Sequence, residues 1–278
     1  MRVPPRTTQT IAKVVLWALT ALTVAVLLFI VIFVLRRGLP ELTPAFLSEG
    51  PRDMGRAGGI LPMVVATLYV TAVGVLVATP FGIGTAIFLT EYTREGLLTR
   101  VVRFGAECLA GVPSIIFGLF GFVFFVIYLE MGWSVLAGGL TLAFMILPTV
   151  IRTAEEAIKA VPQSYREVAY TLGASKWQAI VKVVLPSALP GIVTGIVLGV
   201  GRSISETAAV IFTAGSSLQM PLSLFDPART MSVHFYILAR EGISMQKAYA
   251  TAAVLVLAIL TINVTAYTLM HRFMRRFR

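Results

Sequence analysis

Arg202 and Glu206 combine electric charge with a strongly apolar setting. They lie in a run from about Ala188 to Ala214 that contains no other charged residue. Residues four apart share one face of a helix, and an arginine in hydrocarbon costs roughly 2.5–3.5 kcal/mol on insertion scales. The pair therefore predicts either a structural ion pair against a neighbouring helix or the lining of a polar path. Because arginine binds oxyanions through a planar fork and keeps its proton, such a path would suit an anion.

Hydroxyl groups extend this candidate path. Ser203 follows Arg202 directly, and Ser114 lies in the glycine-rich stretch Gly111–Gly121 beside Pro113. Proline frees a backbone position, and small residues let helices approach closely. The stretch predicts either plain helix packing or an unwound turn near the path. The candidate path residues are Arg202, Glu206, Ser203 and Ser114.

Motifs for catalysis are missing from the sequence. It contains no GxxxxGK[ST] phosphate loop and no HExxH pair. The two histidines, His234 and His271, fall in separate segments, and Cys108 is the only cysteine. Ser232 lies near His234 but in a loop without a nucleophile elbow. We expect no catalytic residue, no metal site and no ATP hydrolysis by this chain.

Composition places the chain in a membrane. Of 278 residues, 57% are apolar and 13% are charged, against about 25% charged in soluble domains. A soluble or disordered chain is thereby excluded. We predict an all-α polytopic membrane protein with six transmembrane helices. The predicted spans are Val14–Leu35, Leu61–Leu89, Leu109–Tyr128, Val135–Ile151, Leu185–Ala214 and Ala248–Met270.

The distribution of basic residues predicts the orientation. If the N-terminus is cytoplasmic, 15 of the 23 lysines and arginines fall in inner segments and seven in outer ones. This asymmetry favours both termini inside. It also accounts for most of the net charge of +10, so that no nucleic-acid partner is needed. The first apolar run lacks a cleavage site and is expected to be retained.

The segment Arg152–Leu185, between predicted spans four and five, is long and polar. Glu155 and Lys159 form an acid-to-base pair at helical spacing, and Pro162 ends that helix. By itself, the segment is consistent with a loop lying on lipid headgroups or with a docking knob for a cytoplasmic partner.

Capping signals divide this segment into two short helices. Ser164 and Glu167 match a capping box with Ser164 as N-cap, and the helix that follows ends at Gly173, a C-cap candidate. A second helix is expected to begin at Ala174–Ser175. The sequence thus predicts a helix, a sharp glycine elbow and another helix.

These residues resemble the EAA loop of bacterial ABC importer permeases, in which EAA, three residues, G, nine residues and I-x-L-P follow one another. The chain has Glu167 and Ala169, then Gly173, then Leu185-Pro186, with Val168 and Val183 as small apolar departures. In that family the loop docks on the ATPase subunit and carries its motion to the spans. The resemblance implies a coupling role for Glu167, Ala169, Gly173, Ala174, Leu185 and Pro186.

Further stretches are similar to PstA-type permeases of the phosphate-specific ABC importer, from about Gly58 to the C-terminus. They are Gly111–Gly121, Lys176–Trp177, Gly201–Thr207 and His234–Gly242. PstC-type permeases share the first and third. The resemblance implies a type I (MetI-like) permease fold and one permease domain over 1–278, with an added span at 14–35, a core at 58–271 and a coupling loop at 152–185.

The same resemblance implies partners. They are a second, PstC-like permease subunit, a PstB-like ATPase dimer that uses ATP and Mg, an extracytoplasmic PstS-like phosphate-binding protein and the bilayer of the bacterial inner membrane. The chain itself would carry no cofactor. Three alternatives stay open: an ABC importer for molybdate or sulfate, a secondary transporter or channel, and a membrane enzyme. The EAA-like spacing and the lack of matching broken helices in two halves weigh against the second.

Overall fold

The computed structural model describes residues 5–94 and 96–275. Arg2, Arg276 and Arg278, which enter the charge asymmetry, lie outside them. The regular secondary structure of the described chain is helical apart from a two-stranded antiparallel hairpin, β1 Pro51–Arg52 and β2 Ala57–Gly58. The helices are α1 Pro5–Gly38, α2 Pro44–Ser48, α3 Leu61–Ile87, α4 Leu97–Gly111, α5 Ser114–Gly121, α6 Val135–Lys159, α7 Gln163–Thr171, α8 Lys176–Ala179, α9 Leu185–Ser205, α10 Ala208–Thr213, α11 Met231–Arg240 and α12 Met245–Arg275.

Length and apolar composition confirm a multi-pass membrane protein. In the described part of the chain, five helical segments are long and apolar enough to cross a bilayer, and a bent pair brings the number to six. The five are Gln9–Glu41, Leu61–Tyr92, Val135–Lys159, Lys176–Ser205 and Met245–Thr268. The all-α fold class and the six predicted spans therefore stand.

Span three is not the single helix predicted at Leu109–Tyr128. Helix α4 already begins at Leu97, and its axis and that of Ser114–Tyr128 meet at 100°. The cause is local: Val112 and Pro113 are extended, with ψ of 129° and 140°, because a residue before proline is pushed out of the helical region. The stretch Gly111–Gly121 thus contains an unwound turn, and its later glycines also allow close packing, since a Cβ on Gly118 or Gly121 would overlap Ala209 or Thr141. Nearness of this turn to the ion path stays a prediction.

Spans four and five differ from their predicted bounds at the end that carries the segment 152–185, and span five differs at its other end as well. Helix α6 continues through Ile151 to Lys159. Span five begins at Lys176 and stops at Ser205, well before Ala214. The polar segment is thus largely a continuation of two spans, and only the residues between them form a separate structure.

The core is built on α6, which packs against α3 and α9. In the most apolar 18-residue stretch of α6, two-thirds of the residues are buried within the chain, whereas in that of α1 none is. Glycines allow the close packing: a Cβ on Gly195 of α9 would overlap the hydroxyl of Thr153 on α6. Helix α1 contacts the rest of the chain mainly through α12, where Phe33 lies edge-on to Tyr249.

Three π-helical turns lie at span ends: Phe88–Tyr92 after α3, Phe122–Tyr128 after α5 and Ile180–Val184 before α9. A π turn accommodates one extra residue within a helix and is frequent at functional sites. Two of the three lie at the end of the molecule that carries α7.

The opposite end is covered by residues 39–60 and 214–244, which we name the distal cap. The amides of Ser134, Val135 and Leu136 donate to the carbonyls of Thr213, Asp226 and Leu224 at 3.2, 3.0 and 2.8 Å. Lys247, at the start of α12, pairs with Glu41 of the cap at 3.2 Å. These contacts hold the cap against the ends of α6 and α12.

Candidate functional site

Helix α7 and the elbow that follows it form a knob at the end of the molecule opposite the distal cap. The predicted capping box at Ser164 is wrong: α7 begins at Gln163 behind Pro162, and no side chain caps it. Proline already fixes the extended backbone that an N-cap residue needs. The capping box lies instead at Ser175, whose hydroxyl accepts from the Gln178 amide while the Gln178 side chain accepts from the Ser175 amide.

The elbow itself is as predicted. Gly173 has φ of +82°, a conformation that costs other residues energy. Its amide donates to the carbonyl of Tyr170, and the Ala174 amide donates to that of Ala169, both at 3.0 Å. This is a Schellman motif, which satisfies carbonyls that the end of α7 leaves free. It fixes the angle between α7 and α8.

The face of the knob that points away from the spans is exposed and partly apolar. Leu172 is 83% exposed and Trp177 60%, and Tyr165 and Val168 are also exposed. Glu167 lies on the same exposed side. Large exposed apolar side chains beside polar ones are typical of an interaction surface.

The inner face of α7 is fixed by a buried arginine. Arg166 is 9% exposed, and its Nη2 and Nε donate to Oε1 of Glu91 at 2.7 and 3.1 Å. Nη1 donates to the carbonyl of Val161 at 2.8 Å, and Nη2 also to that of Ile158 at 3.1 Å. Glu91 lies in the π turn after α3. The side chain thus joins α7 to the ends of α3 and α6.

A second charge cluster lies nearby, between α4 and α6. Glu155 is buried, and its Oε1 accepts from Nε of Arg103 and lies 2.7 Å from Nζ of Lys159. The predicted pair of Glu155 and Lys159 is confirmed. Arg103 adds a tie to the helix that precedes the break in span three.

The predicted pair of Arg202 and Glu206 on one helical face is wrong. Helix α9 ends at Ser205, and Glu206 is extended, with ψ of 128°. Its Oε1 accepts from the amide of Ala209 at 3.2 Å and so caps α10. Arg202 is exposed on α9, and no ion pair joins the two side chains. Span five therefore breaks where it was expected to continue.

The serines of the candidate path occupy different settings. Ser203 is buried, and its Oγ has no hydrogen-bond partner among the described residues. Ser114 is the first residue of α5, directly after the break in span three, and is half-buried. The structure places both serines beside helix breaks, but among the described residues no hydrogen bond joins Ser114 to Arg202.

The distal cap contains two buried basic side chains: Arg229, which the sequence did not single out, and His234. Nε of Arg229 donates to the carbonyl of Ser216 at 2.8 Å, and Nη1 has no partner within the described chain. Burial lowers the pKa of Arg229, against the opposing effect of Glu241. His234 is 1% exposed; burial and then the charge of Arg229 lower its pKa to about 4. His234 is thus neutral at physiological pH.

Sequence reasoning missed four of these residues: Glu91, Arg103, Arg166 and Arg229. A charged residue at the end of an apolar run was the available signal for Glu91 and Arg103. Nothing local pairs Arg166 with Glu91, because 75 positions separate them. Within the described residues, no three His, Cys, Asp or Glu side chains gather as a metal site requires.

The chain is a multi-pass membrane protein with six spans, of which the third is broken. Its exposed helical knob forms an interaction surface at one end of the molecule. The chain belongs to the family described as binding-protein-dependent transport system inner membrane component, which matches residues 78–278. It is therefore a permease component of this importer family, which agrees with the EAA-like loop.

Relatives extend over most of the chain. The probable ABC transporter permease protein YqgI of Bacillus subtilis is 31% identical and covers 88% of this chain and 89% of its own length. The phosphate transport system permease protein PstA of Haemophilus influenzae is 31% identical and covers 86% and 85%. PstA 1 of Mycobacterium tuberculosis H37Rv is 35% identical and covers 76% and 69%.

Solved structures confirm the fold. A chain of the MetNI methionine ABC transporter in an inward-facing conformation superposes with a TM-score of 0.64 at 20% identity, covering 77% of this chain and 95% of its own. A chain of a bacterial ABC transporter that imports alginate gives 0.66 at 17% identity, covering 96% and 99%. The predicted type I permease fold is therefore confirmed.

Proposed function

We propose that this chain is the permease subunit of an ATP-driven importer of inorganic phosphate. The observation that carries the proposal is the knob: α7 behind Pro162, a Schellman elbow and a second helix with a capping box, with an exposed apolar face and an inner face tied to two spans. Relatives at 31–35% identity named as phosphate transport permeases support phosphate as the ion.

The exposed residues of the EAA-like loop support coupling to an ATPase. Glu167 and Gly173 are exposed, while Ala169 is buried against the chain. Ala174 and Leu185 are half-buried, and Pro186 is exposed where α9 begins. We propose that an ATPase subunit binds the exposed face and uses ATP and Mg, while this chain holds no cofactor and catalyses no reaction.

The ion path is proposed at the break after span five. Arg202 is the main residue of this path, since an exposed arginine in an apolar helix needs a polar surrounding. A second permease subunit would supply that surrounding and enclose the path. Ser203 and Ser114 would offer hydroxyls, and Glu206 shapes the break by capping α10 rather than by orienting Arg202.

Orientation and assembly complete the proposal. The basic residues favour both termini in the cytoplasm, so that α7 would face the ATPase and the distal cap an extracytoplasmic phosphate-binding protein. Access to the path alternates because ATP and the loaded binding protein favour different states of one two-state element. The whole chain would then act as a single permease domain of a bacterial inner membrane.

The test is phosphate uptake by the reconstituted complex of this chain with a second permease, the ATPase dimer and the binding protein. Wild type is compared with Arg202→Gln and with the control Arg36→Gln, which removes an exposed guanidinium in the last turn of α1, outside the knob and the distal cap. We expect Arg202→Gln to lose most uptake while the ATPase still co-purifies, and Arg36→Gln to transport normally.

Three outcomes would contradict parts of this proposal. Normal uptake by Arg202→Gln would remove Arg202 from the path. A wild-type complex that transports molybdate or sulfate but not phosphate would reassign the substrate within the same importer class. ATP-independent uptake by this chain alone would favour a secondary transporter.

A further inference from the structure

Arg166 ties the coupling segment to the ends of two spans through buried hydrogen bonds. Its guanidinium contacts Glu91 in the π turn after α3 and two carbonyls, Val161 and Ile158, at the end of α6. The side chains of Arg166 and Glu91 are 11% and 6% exposed. A buried pair in which two guanidinium nitrogens donate to one carboxylate holds one geometry, unlike an exposed pair.

A second, weaker contact reaches the same turn. The ammonium of Lys176, at the start of α8, lies 4.8 Å from the centre of the Tyr92 ring. Both helices of the elbow therefore touch neighbouring residues of the π turn Phe88–Tyr92. The covalent route from α7 to span five, in contrast, passes through Gly173.

We propose that Arg166 is a positioning residue that makes α7 a rigid extension of spans two and four. Movement imposed on the exposed face of α7 then reaches α3 and α6 through the Arg166–Glu91 link. The inference rests on the proposed function, because it assigns the mechanical path inside the coupling device.

The experiment measures anions transported per ATP hydrolysed in the reconstituted complex. Arg166→Lys keeps the charge but replaces three separate donor nitrogens, which reach Glu91 and the two carbonyls, by a single ammonium nitrogen. Glu91→Gln keeps the size but removes the charge. We expect each to lower the ratio several-fold while the ATPase still co-purifies, because the docking face is unchanged. Combined, they should lower it no further than either does alone, since both break one link.

Arg36→Lys is the matched control, since Arg36 is exposed in the last turn of α1, outside the knob, the proposed path and the distal cap. Its ratio should equal that of wild type. A lower melting temperature with an unchanged ratio in Arg166→Lys and Glu91→Gln would overturn the proposal and leave a purely structural pair. If wild type carries another oxyanion, the ratio is measured with that ion, so the two proposals fail separately.

A cross-link covers the case in which these variants fold poorly. Glu91→Cys and Arg166→Cys are combined with Cys108→Ser, which removes the chain's only native thiol. A short bis-maleimide reagent then replaces the salt bridge by a covalent tie. We expect the reagent to restore the transport ratio. Failure to restore it, or inhibition by the reagent, would show that the link must open during the cycle and would refute a rigid connection.

Discussion

His234 makes the stability of the distal cap depend on pH. The side chain is buried on α11, against Gly55 of the cap and outside the membrane-spanning segments. Its pKa is lowered to about 4 by burial and by Arg229, whereas an unfolded histidine titrates near 6.5. Between these two values the unfolded chain binds a proton that the folded chain does not.

This difference determines the direction in which the free energy of unfolding changes with pH. Above pH 6.5 the histidine is neutral in both states and costs nothing; as the pH falls below 6.5, the free energy of unfolding decreases until the folded histidine also protonates near pH 4. The full loss is about 3 kcal/mol, since each pH step of one is worth about 1.4 kcal/mol. For a chain of this size that corresponds to roughly 6–12 °C in melting temperature.

The assay compares the melting temperatures of wild type and His234→Gln in detergent between pH 8 and pH 4. Carboxylates titrate in both proteins, so the difference between the two curves isolates His234. We expect wild type to lose about 3 kcal/mol more than the variant over this range. Parallel curves would refute the reasoning, because they would mean that His234 takes up its proton without disturbing the cap.

Two further predictions concern packing and capping, both measured as melting temperatures in detergent. Gly195→Val should lower the free energy of unfolding by about 1–3 kcal/mol, because the new side chain overlaps Thr153. The control Gly201→Val should not lower it, since a Cβ there would meet nothing within 4 Å. Equal effects of the two variants would contradict the close packing of α9 on α6. Ser175→Ala should cost about 1 kcal/mol through its lost cap. Ser164→Ala should be neutral, and the reverse order would restore the capping box predicted at Ser164.

Local signals were read correctly where the chain itself decides the structure. Gly173 and Ser175 mark the elbow because a left-handed turn and a helix N-cap are decided within a few residues. Pro113 also acts locally, but it breaks the third span, which was predicted as one helix, into two helices at 100°.

Sequence patterns gave wrong or no predictions where contacts between residues far apart in the chain determine the structure. The spacing of Arg202 and Glu206 implies one helical face only if the helix continues. Instead, Glu206 caps α10, and its carbonyl accepts from the Ser232 hydroxyl at 2.6 Å. The link between Arg166 and Glu91 left no trace in the sequence, because its two partners are brought together by the packing of α3, α6 and α7.

The π turn Ile180–Val184 sets the rotational phase between the elbow and span five. One residue corresponds to about 100° around a helix, so a single deletion in this turn would keep the helix continuous yet rotate one side against the other by that angle. The glycine face of α9 would then turn away from α6, or the knob would turn away from Glu91. A single residue of chain length therefore determines whether both ends of this helix fit their neighbours at the same time.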